Sequence, residues 1–435
     1  MRYCILGLLI ATGALAQQDS LTIGKAVEIV LKRHPSINQA QEALEAARAH
    51  TQSLTSANYP SVSADVSDFY LGPEYPFNLG MAKFAMFPDN NFDAHIGAMY
   101  TLYDFGKRSM TIEVSKTGEQ SAADLLTGVK TDLYFQVLQL FTAIVLQEKS
   151  IVVADEGIAE YDRHLLDVQK KIEAGSATEY DVLKTQVQRS IAQGQRLDIA
   201  ADLAKKRTAL RQLLGFTPGA PLVLKGGFDT LSVRTNTDSL FTTALSGRSE
   251  RASALHLKQS AKLLKDLTSK ENLPNFNVHA SAGFKNGFPN DVAPPNTDIS
   301  TPRINVVAGA EVSLPLYDGK RAKFHKLEAA RNEEGSIAAL DAIDERIKTE
   351  VLQAASDVEA SFSKLDISRA QIAFAKRSLE LARLKYDAGV VTNLDVLDAE
   401  NDFSQAQLGH LRNQFQYTQS LFALDHAVGR LPVSK

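Results

Sequence analysis

Two stretches decide the fold: Ala174-Gly175-Ser176-Ala177-Thr178-Glu179-Tyr180-Asp181-Val182-Leu183 and Ala388-Gly389-Val390-Val391-Thr392-Asn393-Leu394-Asp395-Val396-Leu397. In each, the glycine suits the left-handed position that ends a helix. Each continues as Thr-x-x-Asp, the spacing at which a hydroxyl and a carboxylate cap the first turn of a new helix. Helix, G-x-x-T, helix is the pattern of a tight αα-hairpin, and Gly175, Thr178, Gly389 and Thr392 mark its two tips.

Long rods run into and out of these tips. Before the first, apolar or small residues fall at Val129, Leu133, Val137, Leu140, Ile144, Ile151, Ala154, Ile158, Tyr161, Leu165, Val168 and Ile172. Steps of three, four and seven keep them on one stripe of a helix. No proline lies between Lys107 and Ile172, which allows one helix of about 65 residues, roughly 100 Å long. A rod of that length has no place inside a globular domain, so its stripe needs a coiled-coil partner. The returning helices, about 178–214 and 392–427, supply it.

The second tip lies 214 residues after the first, and other landmarks share that offset. Pro60 matches Pro274, and Leu214-Gly215 matches Val428-Gly429. Leu102-Tyr103-Asp104-Phe105-Gly106-Lys107-Arg108 matches Leu316-Tyr317-Asp318-Gly319-Lys320-Arg321 if one residue is deleted. Several matches in register indicate a tandem duplication. The expected organisation is a first repeat over 17–225 and a second over 226–435, forming one intertwined domain, with 217–227 as the linker. The long helices are expected over about 107–173 and 321–387.

Ahead of each long helix the period switches to two. Phe276, Val278, Ala280, Ala282 and Phe284 alternate with polar or small residues, and so do Ile304, Val306, Ala308, Ala310, Val312, Leu314 and Leu316. Phe92, Ala94, Ile96, Ala98, Tyr100 and Leu102 repeat the pattern, and Val62, Ala64 and Val66 do so less cleanly. Strands are expected at about 61–71, 92–103, 275–285 and 304–316, with surface loops at 72–91 and 286–302. One such stretch fits a half-buried soluble strand; four, with aromatic residues near their ends, fit the lipid-facing strands of a membrane barrel.

The first residues are expected to be a secretory signal over 1–16: Arg2, an apolar stretch from Ile5 to Leu15, and a cleavage site at Ala14-Leu15-Ala16. The single cysteine, Cys4, falls within that segment, so neither a lipid anchor nor a disulfide is expected. Beyond the signal the sequence reads as having no apolar run of about 18 residues, hence no membrane-spanning helix. The 47 basic residues nearly balance the 51 acidic ones, and no basic patch points to nucleic acid. The nine histidines show no H-E-x-x-H spacing, and there is no phosphate-binding glycine loop, so no metal, cofactor or catalytic residue is expected.

Four strands cannot close a barrel, for which about eight is the practical minimum. An open sheet edge in lipid leaves backbone groups unpaired at several kcal/mol each. The chain must therefore pool strands with copies of itself; two copies would supply eight strands and three would supply twelve.

The signal, the duplicated half, the L-Y-D junctions and the paired A-G-x-x-T-x-x-D-V tips resemble the TolC-like outer-membrane efflux family across the mature chain. That resemblance implies a mainly α fold with membrane β: a homotrimer with a twelve-stranded barrel in outer-membrane lipid and an α-helical tunnel through the periplasm. It further implies an equatorial collar, single shorter helices over 26–54 and 240–267, and docking onto a periplasmic adaptor and an inner-membrane transporter. The function implied is the exit duct of a tripartite efflux or type I secretion system. Drug efflux, metal efflux and protein secretion share this component. A periplasmic adaptor and a coiled-coil scaffold are the alternatives; an adaptor usually has one hairpin, and a scaffold does not account for four strands.

The tips are also candidates for docking and gating. Asp395 and Asp398 are three apart on one helix face, and the resemblance implies that these positions form an acidic constriction, in a trimer a ring of six carboxylates. Asp395 equally suits a capping role, as Asp181 does in the first tip. The resemblance also makes Tyr386 a residue that links the tip shut, with Asp181 as its partner on the neighbouring hairpin. A basic linking residue of the family is replaced here by Val391.

Overall fold

The computed structural model describes residues 21–72, 76–79, 82–85, 88–228, 236–287 and 300–430. The expected signal segment lies outside these residues, as do 288–299 of the second loop. In chain order the elements are α1 (Ile23–Arg33), α2 (Pro35–Thr55), β1 (Ser61–Tyr70), β2 (Pro76–Leu79), β3 (Ala82–Ala85), β4 (Asn90–Tyr103), α3 (Lys107–Glu173), α4 (Glu179–Leu214), α5 (Thr237–Gly247), α6 (Ser249–Thr268), β5 (Asn275–Lys285), β6 (Arg303–Ser313), α7 (Arg321–Asp387) and α8 (Asn393–Ala427). They fold as two compact units. One comprises Met1–Gln41, Leu125–Glu250 and Ile343–Lys435; the other comprises Glu42–Asp124 and Arg251–Ala342. Each unit draws on both sequence halves, so neither half is a unit by itself.

The second of these units carries the main sheet, antiparallel in the order β1-β4-β5-β6. Its register stacks like residues across the strands: Val66 faces Ala94, Ala94 faces Phe284, and Phe284 faces Ile304. The neighbouring row, Asp65, His95, Gly283 and Asn305, points to the other face. On the apolar face Ile304 is 77% exposed and Val306 71%, which suits contact with lipid rather than with a protein core. β4 pairs with β5, so the two halves meet at the middle of the sheet, while β1 and β6 each have one neighbour among the described residues.

Several details differ from the sequence reading. β6 stops at Ser313, short of 316, because Pro315 has no N–H to donate and restricts the residue before it. The ladder shifts between Thr101 and Tyr103, which takes Leu102 out of the alternating row. The stretch read as a loop over 72–91 contains the β2–β3 hairpin.

The L-Y-D junctions cap the long helices. Asp104 accepts from the N–H groups of Gly106 (3.0 Å) and Arg108 (2.7 Å), and Asp318 from those of Lys320 and Ala322 (both 2.9 Å). The bond from the Ala322 N–H, with those from the Asn272 amide (3.3 Å) and the Lys320 N–H, holds the Asp318 carboxyl below its ordinary range. The residue deletion expected here is absent. α3 and α7 begin 214 residues apart and each runs 67 residues. The positive-φ pair is Phe105 and Gly106 in one junction and Gly319 and Lys320 in the other. The glycine has changed places within the pair while the turn has stayed.

The single helices expected at 26–54 and 240–267 are each two. His34 adopts an extended backbone (ψ 130°) before Pro35, as the steric demand of proline requires. At the equivalent break Arg248 is also extended (ψ 115°), with no proline beside it. Tertiary contacts hold it: the buried Arg248 donates to the Ala427 carbonyl (3.2 Å) and pairs with Glu350 (2.8 Å), beside a local pair with Glu250 (2.6 Å).

The other unit holds the hairpin cores. Along α7 a buried seam runs through Ile347, Val351, Ala354, Val358, Ser361, Leu365 and Ser368, alternating steps of four and three as a coiled coil requires. On α3, Leu133, Val137, Ile144, Ala154, Tyr161 and Val168 are buried. Each large apolar side chain so removed from water contributes about 1.5–3 kcal/mol. Ile172, expected on the same stripe, is exposed. One 18-residue stretch of α3 is long and apolar enough by composition to cross a membrane, contrary to the sequence reading, and half of it is buried within the protein. Such burial is also what the core of a helical bundle produces. The Leu21 N–H donates to the Val223 carbonyl (2.8 Å) and the Lys225 N–H to the Leu21 carbonyl (3.0 Å), so part of the expected linker is paired structure.

Candidate functional site

The tips are built as their sequences dictate. Gly175 (φ 73°) and Gly389 (φ 71°) take the left-handed conformation, and neither has a neighbour where a side chain would begin. After each turn the chain folds back through Ser176 N–H to Lys171 O and Val390 N–H to Lys385 O (both 2.8 Å). Asp181 then accepts from the backbone N–H (2.9 Å) and hydroxyl (2.7 Å) of Thr178. Asp395 accepts likewise from Thr392, at 2.7 and 2.6 Å. These bonds from Thr392 hold the Asp395 carboxyl below its ordinary range. Within the chain Asp395 is thus a capping carboxylate, as Asp181 is. Crowding among like charges raises a pKa; the direction within one chain is the opposite.

Asp398 sits one turn further along α8 and is exposed, whereas Val396, Leu397, Ala399 and Glu400 are buried. Asp395 and Asp398 therefore share the outward face of the helix. Tyr386 is half-buried, with the Lys171 ammonium 4.6 Å from its ring centroid and the His164 ring 5.6 Å away. Lys171 also donates to the Tyr386 carbonyl (3.2 Å) and pairs with Asp387 (3.6 Å). Burial pushes the Tyr386 phenol up, with Asp181, Asp387 and Asp167 adding to the shift. The hydroxyl is buried and makes no hydrogen bond among the described residues. The structure thus brings Tyr386 and Asp181 into electrostatic range but forms no bond between them within one chain.

Two polar clusters near the second tip have no motif in the sequence. Buried His164 on α3 meets the Asn393 side-chain oxygen at 2.7 Å. The Asn393 amide donates to the Asp181 carbonyl (3.2 Å) and to the Thr185 hydroxyl (3.4 Å) on α4. Above it, Arg383 on α7 donates to Glu160 on α3 and to Glu400 on α8, the latter at 2.9 Å. The Glu400 side chain is only 2% exposed, and burial pushes its carboxyl up against the opposing pull of Arg383 and His164. Nearby, burial with Glu400 and Asp398 pushes the Tyr161 phenol up to about 12. The one signal in the sequence is a break in symmetry. The positions 214 earlier than Asn393, Arg383 and Glu400 hold Glu179, Gln169 and Gln186. Among the described residues no cluster of three or more His, Cys, Asp or Glu is placed to hold a metal ion.

An antiparallel sheet with one exposed apolar face, joined to two helices of 67 residues, is the build of an outer-membrane duct subunit. The chain belongs to the family described as "Outer membrane efflux protein", whose model matches it twice, over 26–216 and 240–430. The two matches are offset by the same 214 residues as the motifs. It is similar to the cobalt-zinc-cadmium resistance protein CzcC of Cupriavidus metallidurans, at 24% identity over 75% of this chain and 74% of that protein. Protein CyaE of Bordetella pertussis is likewise 24% identical, over 95% of this chain and 85% of its own length. In fold it is similar to the crystallised CusC, with a TM-score of 0.80 and 16% identity over 94% of this chain and 92% of that one. The chain is a transport protein of the outer membrane, an efflux or secretion channel rather than a periplasmic adaptor or a scaffold.

Proposed function

We propose that three copies of this chain form the exit duct of a tripartite efflux or type I secretion system. The carrying observation is the pair of sheet edges, β1 and β6, that are unpaired among the described residues. In lipid these edges are costly unless another copy covers them, and three chains of four strands make a closed barrel of twelve, a size within the known range. Exposed apolar residues on the rods support the same reading. Tyr180, Leu183, Val187 and Ile191 form one stripe on α4, and Ile367, Phe374 and Leu381 another on α7; their helical spacing suits packing between copies.

The hairpin tips, with Gly175, Thr178, Gly389 and Thr392, are the surfaces offered to a periplasmic adaptor and through it to an inner-membrane transporter. Asp395 and Asp398, with Tyr386 and Asp181, form the periplasmic gate. In a trimer the outward face of α8 repeats three times, and crowding there works against the lowering effect of Thr392. Val391 at the basic link leaves closure to other contacts. Native mass measurement in detergent tests the assembly: three chains per particle are expected, and a stable folded monomer in the membrane would refute it.

A further inference from the structure

Between α3, α7 and α8, well above the tip, lies a cavity of about 280 Å³. Its lining includes Glu156, Glu160, Tyr161, Leu379, Glu400 and Phe403, two aromatic rings and an apolar side chain facing three carboxylates. Glu400 is 4% exposed as a residue. Its Oε1 accepts from Arg383, but its Oε2 is buried and has no hydrogen-bond partner among the described residues. A buried carboxylate oxygen without a donor calls for an explanation, since nearly all such atoms in folded proteins are satisfied. The local charge is also unbalanced. Among the described lining residues, Glu156, Glu160 and Glu400 stand against two guanidinium groups, Arg163 in the lining and Arg383 beside it, and both of these are engaged with Glu160.

We propose that this cavity is a binding site for a small organic cation, an amine carried on an apolar or aromatic body. The ammonium group donates to Glu400 Oε2, and the body lies against Tyr161, Leu379 and Phe403. One added positive charge neutralises the cluster. The volume sits at the lower edge of the range for small-molecule pockets, so the ligand is of fragment size. The apolar walls and convergent polar group are the usual composition of such sites, and a cation near aromatic faces gains a further attraction. The site lies within one chain and does not depend on how many copies assemble.

Protonation of Glu400 competes with the ligand. The titratable and charged groups around Glu400 are Arg383 from α7 and Glu160, His164 and Tyr161 from α3, with Glu156 and Arg163 of α3 in the same lining and Asp398 exposed two residues earlier on its own helix. Burial favours the protonated form, so affinity should fall as pH is lowered.

Calorimetric titration of the full chain in detergent with benzylammonium chloride tests the site. Saturable binding of one per chain is expected at pH 8, weaker at pH 5, with benzyl alcohol binding far less well. Glu400→Gln keeps the shape and the Arg383 contact and should weaken binding roughly tenfold or more, as loss of a charged hydrogen bond predicts. If that variant does not fold, the pH series and the alcohol comparison on the unaltered chain decide. No saturable heat, equal binding of the alcohol, affinity that holds or rises toward pH 5, or a folded Glu400→Gln that binds as well would each overturn the proposal.

Discussion

The two hairpin tips share one turn and differ in what lies behind it. Gly175 and Gly389 have φ values two degrees apart, 73° and 71°, and Thr178–Asp181 and Thr392–Asp395 form the same cap. Behind the first tip the α4 residue after the cap is exposed Glu179; behind the second it is buried Asn393, bonded to His164. Gln169 and Gln186 of the first hairpin correspond to Arg383 and Glu400, which clamp α7 and α8 to α3. Duplication kept the local chemistry that turns the chain. Divergence changed the residues that tie one hairpin to the other, and those ties come from distant parts of the sequence.

The sharpest way to break this contrast is to remove Arg383. Arg383→Ala leaves Glu400 buried without its cation, which should cost about 3 kcal/mol, the low end for a broken buried pair because Arg383 is itself part-exposed. Gln169→Ala should stay within about 0.5 kcal/mol, as surface changes do. Thermal unfolding of the two variants measures the difference, and equal effects would mean the clamp holds nothing. Asn393→Ala comes next. It strips His164, Thr185 and the Asp181 carbonyl of a shared partner and should cost about 1–3 kcal/mol, against little for Glu179→Ala.

Replacing either glycine with valine should strain its turn by about 1–2 kcal/mol, since the left-handed conformation disfavours a branched side chain. The losses should be equal, because neither site has a neighbour to clash with. Transport, followed by substrate extrusion from cells, should separate them: Gly389→Val should reduce it more than Gly175→Val if the second tip is the gate. The smallest effect concerns Asp395. Its folded pKa is lowered by Thr392, so its contribution is full above the ordinary value of 3.8 and is lost as pH falls through the lowered one. The melting difference between wild type and Asp395→Asn should therefore be present near neutrality and close in strong acid.

Local pattern carries much of this fold in the sequence itself. The absence of proline from Lys107 to Ile172 and the stripe on that stretch mark the long helix, and strict alternation marks β5. Pro35 marks the break between α1 and α2 just as locally, although the family resemblance suggests one helix there. The matching break at Arg248 carries no local mark, because the carbonyl of Ala427 and the carboxylate of Glu350 enforce it from afar. The capping role of Asp395 is legible from its distance to Thr392. His164 with Asn393 and Arg383 with Glu160 are not, being 229 and 223 residues apart. Such pairings are set by tertiary packing, and the sequence marks them only as places where the two halves disagree.

In the gate proposed above, the outward carboxylates of the second tip close the duct. Conductance of the purified channel in planar bilayers tests it most directly. A cation-preferring pore blocked by multivalent cations from the tip side is expected, with both properties weakened in the Asp395→Asn, Asp398→Asn double variant. An anion-selective wild type, or a double variant blocked just as readily, would contradict it and leave both residues as ordinary helix-surface carboxylates.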